Sequence, residues 1–310
     1  MQVKILNANE INYAKLSELM HAAFAPKKET FEGARQIEMI SEERLRQKYM
    51  TSPADSFCAI VQVGEKYVAS NGLLGFHICV GNEVKPAWMS CDTSTDPSYR
   101  GKGYFKSCLS ELQNKFKDDI LIGFPNSNSI KGFKNLGWKR IVKYNIQARP
   151  VLKIRKDRKF IERNFPEIRS FQLSTNGIVK NVEYLNWRYP SIDPRYSRIA
   201  FKSKKIEYFM ILETYIIHDI KTTLVLEFFW GNNISYFHGM RDAIKFARHN
   251  SSKFIVNTSA NGIQTLSDTC LGFFRIPRFI ADRRIDLLAI NYSQDERATW
   301  DGRLGDWDAL

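Results

Sequence analysis

Apolar positions Tyr13, Leu16, Leu19, Met20 and Ala23 recur at the helical period between Ile11 and Phe24, which predicts a first helix; a weaker one spans Ser41 to Tyr49. From Ser56 the rhythm changes to that of strands. Phe57 to Val63 and Tyr67 to Val80 are joined by the turn Gly64-Glu65-Lys66, and Gly81-Asn82-Glu83 turns into a third strand, Val84 to Thr95, stopped by Pro97. After the run Tyr99-Arg100-Gly101-Lys102-Gly103-Tyr104-Phe105, the residues Cys108, Leu109, Leu112 and Phe116 return to helical spacing. A short strand follows at Ile120 to Phe124, then a helix from Ser127 to Leu136 ended by Gly137, where a C-cap glycine belongs, then a strand from Trp138 to Ala148.

The pattern is weakest in the basic stretch Arg149 to Arg163, so a domain boundary is expected there, giving domains 1–148 and 149–310. The second half repeats the first at an offset of 135 residues. Ile120 falls on Ile255, Asn126 on Asn261, Leu136 on Leu271, Gly137 on Gly272, Trp138 on Phe273 and Ile141 on Ile276, and the strand Thr222 to Trp230 falls on Ala87 to Thr95. The glycine-rich loop did not copy: Arg100, Gly101 and Gly103 fall on Ser235, Tyr236 and His238.

Composition narrows the class. With 44% hydrophobic and 13% aromatic residues, 310 residues hold enough apolar matter for two cores, which excludes a disordered or fibrous chain. No window reaches the ~18 apolar residues of a membrane helix, and the start Met1-Gln2-Val3-Lys4-Ile5-Leu6-Asn7 has no apolar leader segment, so a soluble, cytoplasmic protein without membrane insertion is expected. The five cysteines form no Cys-x-x-Cys pair; they read as reduced thiols, and no metal site is expected. His218, His238 and His249 also lack ligand spacing. The net charge of +13 favours polyanionic partners: nucleic acid, an anionic membrane face or phosphate-rich small molecules. Nucleic-acid binding as the main role is disfavoured, because only Phe160 interleaves with the basic residues of 149–163, where stacking would need several aromatics.

The chemistry concentrates in the loop. Arg100-Gly101-Lys102-Gly103 entering a helix would present unpaired backbone N–H groups at the positive end of the helix dipole, with two glycines keeping Cβ atoms out of the way and two cations adding charge. It matches neither a P-loop nor a dinucleotide fingerprint, and by itself it reads equally as a basic turn.

In context, the order of strand, Thr95-Asp96-Pro97-Ser98-Tyr99-Arg100-Gly101-Lys102-Gly103, helix, strand, Asn126, helix and Leu136-Gly137-Trp138 resembles the GCN5-related N-acetyltransferase (GNAT) superfamily. The resemblance covers roughly residues 1–148. It implies a mixed α/β (α+β) fold, here two GNAT-like domains with the second degenerate, and an acyl-CoA donor such as acetyl-CoA or 3-hydroxybutanoyl-CoA. It implies that the loop Arg100 to Phe105, with Tyr104 at the helix start, binds the pyrophosphate; that the backbone of Thr93, Ser94 and Thr95 holds the pantetheine and polarises the thioester; and that Asn126, with Ser129 as a weaker candidate, contacts the pantetheine arm. Phe105 replaces the family's small residue. Phe133 stands where many members carry a tyrosine that protonates the leaving thiolate.

The implied reaction is direct attack of a primary amine on the thioester, which needs a group to take the amine's proton. Asp92 and His77, on the strands expected to flank the cleft, are the candidates; each reads equally as a structural strand residue. The segment Tyr184-Leu185-Asn186-Trp187-Arg188-Tyr189-Pro190 resembles one in two-domain members of the superfamily, some of which act in bacterial surface-polysaccharide pathways. There Trp187 and Arg188 would hold a nucleotide-linked amino sugar, or else simply pack a helix end. This makes the expected acceptor a nucleotide-linked amino sugar, such as a dTDP-3-amino-3,6-dideoxyhexose, with an aminoglycoside or polyamine as the alternative. A homodimer is compatible with this reading. The tail Trp300 to Leu310 is too aromatic and acidic for a frayed end and is expected to dock.

Overall fold

The computed structural model describes residues 2–25, 31–81, 83–152, 176–217, 219–259, 267–275, 286–292 and 300–306. Most of the basic stretch 149–163, with Phe160, and the repeat positions Asn261 and Ile276 therefore lie outside the described residues, as do His218 and the last four residues of the tail. In chain order, the first half comprises β1 (Val3–Asn7), α1 (Tyr13–Phe24), α2 (Phe31–Met39), α3 (Glu42–Met50), β2 (Ala54–Val63), β3 (Lys66–Val80), β4 (Glu83–Thr95), α4 (Tyr104–Lys115), β5 (Ile120–Gly123), α5 (Ile130–Asn135) and β6 (Lys139–Lys143). There follow β7 (Asn145–Pro150), β8 (Asn176–Ile178), α6 (Val182–Arg188), β9 (Tyr196–Lys202), β10 (Glu207–Ile217), β11 (Ile220–Trp230), α7 (Asn233–His249), β12 (Phe254–Ser259), β13 (Phe274–Arg275) and β14 (Asp286–Ile290).

The chain divides into two compact units: residues 1–142 with 286–297, and residues 143–285 with 298–310. In the first, strands run in the order β1-β2-β3-β4-β5-β14-β6; β2, β3 and β4 are antiparallel neighbours, and α4 leads from β4 to a parallel β5. The second runs β13-β7-β12-β11-β10-β9, with β9, β10 and β11 antiparallel and α7 leading from β11 to a parallel β12. One order of elements thus occurs twice. Each core follows the same plan, with Leu109, Leu112 and Cys108 of α4 packed on Val61, Leu73 and Leu121, and Met240, Ala243 and Ala247 of α7 packed on Met210, Val225 and Ile255.

The expected single strand from Trp138 to Ala148 is two strands that part company. β6 stays in the first sheet, whereas β7 pairs antiparallel with β12, Phe254 opposite Pro150 through Ser259 opposite Asn145. In exchange, β14 of the second half pairs with β5, Leu288 opposite Gly123. The division therefore falls between residues 142 and 143, not after 148, because the hydrogen bonds of β7 belong to the second sheet.

Candidate active site

The strand expected to hold the thioester carries a bulge. Ser70 faces Ser94 and Gly72 faces Cys91, so Asp92 and Thr93 together oppose the single residue Asn71. Asp92 takes a positive φ of 45°, a conformation a non-glycine residue adopts only when its surroundings hold it there. The buried Ser70 donates to the Asp92 carbonyl at 3.0 Å and lies 2.6 Å from Ser94 Oγ. The buried Asn71 amide donates to Thr93 Oγ1 at 3.0 Å and accepts from Ser90 Oγ at 3.0 Å. On the other side, the Asp92 carboxylate meets Lys48 Nζ at 3.0 Å and accepts from the Tyr49 hydroxyl at 3.0 Å. Burial first, then the charge of Asp92, push the Tyr49 phenol well above its ordinary pKa, so it stays a donor.

Just before the bulge the two parallel strands separate. β4 and β5 pair from Ala87 opposite Ile120 to Ser90 opposite Gly123 and no further, which leaves a cleft between Cys91–Thr95 and the chain leaving β5. The loop at its end turns through Gly101 and Gly103, with φ of 78° and 79°, and a Cβ on either would project into open space. Gly103 caps α4 without a side-chain hydrogen bond, so the first turn presents its N–H groups outward. Arg100 is exposed and spends one nitrogen on Ala23 O at 2.9 Å, tying the loop to the end of α1; Lys102 lies 4.6 Å over the Tyr99 ring. The geometry is an open, positively charged cradle for an anion.

The other expected residues fall as follows. Thr93, Ser94 and Thr95 lie on the separating edge of β4. Asn126 Oδ1 accepts from the N–H groups of Asn128 and Ser129, and Ser129 Oγ lies 3.2 Å from it, so these two side chains build the turn into α5. Tyr104 opens α4, half-buried. Phe105 does not line the loop: its ring packs 5.7 Å from that of Phe133 over Gly132, where a Cβ would come within 2.3 Å of it. Gly132 thus makes room for the bulk at Phe105. Phe133 is buried against Trp138, a core position with nothing to donate.

The two expected bases are not brought together. His77 is exposed and faces Pro86, four residues before the last β4–β5 pair, or roughly 13 Å along the strand. Asp92 is at the bulge but turned onto Lys48 and Tyr49. Sequence reasoning missed Lys48, Tyr49, Ser70 and Asn71, which fix the bulge. One signal existed: Glu43-x-Leu45-x-x-Lys48-Tyr49 recurs as Glu183-x-Leu185-x-x-Arg188-Tyr189.

The second unit repeats the bulge and closes it. Ile211 faces Glu227 and Leu212 faces Val225, so Leu226 is the extra residue. Glu227, fully buried, meets Lys180 Nζ at 2.6 Å and accepts from the Tyr189 hydroxyl at 2.8 Å; Lys180 also pairs with Asp306 at 2.5 Å. Burial raises the Glu227 pKa and Lys180 opposes the rise. The tail does dock, and it docks here. Arg303 Nε donates to Phe228 O at 3.1 Å and its guanidinium lies 4.9 Å over Trp230. A Cβ on Gly305 would come within 1.8 Å of the Tyr189 oxygen and 2.7 Å of Glu227 Oε1. β12 pairs with β11 only as far as Leu224, so this segment lies along the stretch matching Cys91–Thr95. Arg188, expected to hold a nucleotide, donates instead to Gly305 O at 3.3 Å, while Trp187 packs on Tyr184. Asn232 caps α7, taking the Ser235 N–H at 2.8 Å.

A parallel pair of strands parted at a bulge, with an anion-binding turn at the helix that follows, is the arrangement that the resemblance to the acyl-CoA-dependent N-acyltransferases of the GNAT superfamily implies. The sequence points the same way: residues 4–141 match the model of the acetyltransferase (GNAT) domain. Comparison with curated proteins finds no match. Among solved structures, the chain is similar to a protein of Enterococcus faecalis described as a probable N-acyltransferase, at 14% identity and a TM-score of 0.63 over 93% of this chain and 72% of that one. A GCN5-related N-acetyltransferase of Anabaena variabilis gives 11% and 0.63 over the same shares. The N-myristoyltransferase of Saccharomyces cerevisiae, solved with myristoyl-CoA, gives 8% and 0.58 over 94% of this chain and 83% of that one. At such identities the likeness is one of fold. Among the described residues no helix is long and apolar enough to cross a membrane, and no group of three or more His, Cys, Asp or Glu is placed to hold a metal ion.

Proposed function

We propose that the first unit binds acyl-CoA at its glycine turn and transfers the acyl group to the amine of a nucleotide-linked amino sugar, such as a dTDP-3-amino-3,6-dideoxyhexose destined for surface polysaccharide, in the cytoplasm. The observation that carries the donor half is the turn itself: Gly101 and Gly103 in left-handed conformations, open space where a Cβ would stand, and α4 starting there. The N–H groups from Gly101 to Phe105, with Arg100 and Lys102, hold the pyrophosphate. The pantetheine lies along Thr93–Thr95, with Asn126 Nδ2 turned toward it, since Asn126 Oδ1 is taken by the α5 turn. The acceptor amine, neutral when it attacks, forms the C–N bond as the C–S bond breaks; the thiolate leaves and the amine's proton passes to water. Asp92 acts as a positioning residue that keeps the bulge turned, and His77 takes no part.

The acceptor half rests on resemblance and on charge. Acyl-CoA and a nucleotide diphosphate both suit a chain of net charge +13, whereas an aminoglycoside or polyamine is a cation and would call for an acidic cleft. The test is thiol release from acetyl-CoA and 3-hydroxybutanoyl-CoA against a panel of dTDP- and UDP-amino sugars, an aminoglycoside and spermidine. Turnover with a nucleotide sugar is the expected result. Turnover with spermidine or the aminoglycoside alone overturns the acceptor, and failure to bind acyl-CoA overturns the donor site.

A further inference from the structure

The second unit carries a cleft that none of this uses. One face of α7 presents Phe237, Arg241, Lys245 and Arg248 at intervals of three and four residues, and Arg149 of β7 stands opposite them; together they line a space of about 320 Å³ floored by Ile244 and Leu271. Among the described residues, four cations line it and no carboxylate does. The nearest acid on the helix, Asp242, holds Lys245 at 2.7 Å and also accepts from the Tyr208 hydroxyl, so it is fully engaged beside the cleft. Arg149 is half-buried, and the dehydration and the charge of Arg248 both push its pKa below the ordinary value. Phosphate oxygens would complement such a set of cations.

Size and shape narrow the ligand. The volume lies near the lower end of the roughly 300–1,000 Å³ of small-molecule sites, which suits a nucleotide and not a polynucleotide track. Phe237, 38% exposed, offers a flat apolar face at the rim.

We infer that this cleft binds a nucleoside diphosphate, its two phosphates held by Arg149, Arg241 and Arg248 and its base laid on Phe237. Guanidiniums match phosphate oxygens in pairs, and three of them neutralise a diphosphate. The site stands on the second unit alone and does not depend on the first unit's acyl-CoA reading.

The test is isothermal titration of the full chain with UDP and with inorganic pyrophosphate, each with acetyl-CoA at one equivalent per chain, which occupies the glycine turn without an excess of its own adenosine diphosphate to compete at the cleft. Both probes are expected to bind. Arg241→Gln, a single change at an exposed position, should weaken both at least five-fold, and adding Arg149→Gln should bring the loss to twenty-fold or more at an unchanged acetyl-CoA affinity. Phe237→Ala should weaken UDP and leave pyrophosphate as it was. No binding of either probe at millimolar concentration overturns the inference, as does binding that Arg241→Gln leaves intact. If acetyl-CoA itself fails to bind, the acyl-donor reading falls, while the response of UDP binding to Arg241→Gln still decides this one.

Discussion

Asp92 of β4 and Glu227 of β11 stand 135 residues apart at the bulge of two copies of one sheet, each carboxylate held by a lysine and a tyrosine hydroxyl: Lys48 and Tyr49 for the first, Lys180 and Tyr189 for the second. One pairing lies beside an open cleft and the other beside a cleft filled by the chain's own tail. That the arrangement persists where the cleft is filled argues that its work is to shape the strand.

Asp92→Asn is therefore expected to lower stability by about 2 kcal/mol, the scale of hydrogen bonds to a charged group, and to reduce kcat through a looser bulge. The acidic limb of the pH–rate profile should stay where it is. A general base would behave otherwise: its removal abolishes that limb, so profiles of the wild type and Asp92→Asn decide between the two roles.

The filled cleft predicts a stoichiometry. One acyl-CoA should bind per chain, and Gly103→Val should abolish that binding, since a side chain there both strains a left-handed residue and projects into the cradle. Gly305→Val should leave acyl-CoA affinity unchanged but lower Tm by several degrees, because a Cβ at Gly305 collides with the Tyr189 oxygen and Glu227. Equilibrium dialysis giving a second acyl-CoA site that Arg241→Gln leaves intact would show that the tail does not block the second cleft.

The run from β2 to β5 was legible because each strand and helix shows its own period and the glycines mark the turns. The short helix α2 was not, since Phe31-Glu32-Gly33-Ala34-Arg35-Gln36-Ile37-Glu38-Met39 carries few apolar residues and a glycine. The break at Tyr144 was hidden by apolar alternation that runs straight through it, and the strand exchange depends on a partner, β14, some 150 residues further on. The glycine turn could be read from six consecutive residues. The bulge could not: its shape comes from Ser70 and Asn71 on one strand and from Lys48 and Tyr49 on a helix, and no local pattern links them.

Gly132 and Phe105 form a compensating pair. Gly132→Ala would gain about 1 kcal/mol of helix propensity in isolation, yet it should destabilise by about 1–3 kcal/mol, because the new methyl meets the Phe105 ring. In Phe105→Leu the same change should cost far less. A double-mutant cycle in urea would show a coupling energy of about 1 kcal/mol or more; independence of the two would mean the ring simply swings aside.

Asp268 supplies a pH dependence whose sign follows from its burial. It is fully buried, accepts from the Tyr236 hydroxyl at 2.5 Å and from Asn257 at 3.5 Å, and burial raises its pKa from 3.8 to about 6 against those hydrogen bonds. The folded state thus binds the proton more tightly than the unfolded chain between pH 3.8 and 6, so this residue's contribution grows less favourable as pH rises through that window and stays constant above it. At neutral pH the ionised carboxylate costs about 3 kcal/mol relative to a neutral group. Asp268→Asn keeps an acceptor for Tyr236 and removes the charge. It should stabilise the protein more at pH 8 than at pH 5, by a difference of about 1 kcal/mol in urea unfolding. An equal effect at both pH values would mean that Asp268 keeps its charge throughout.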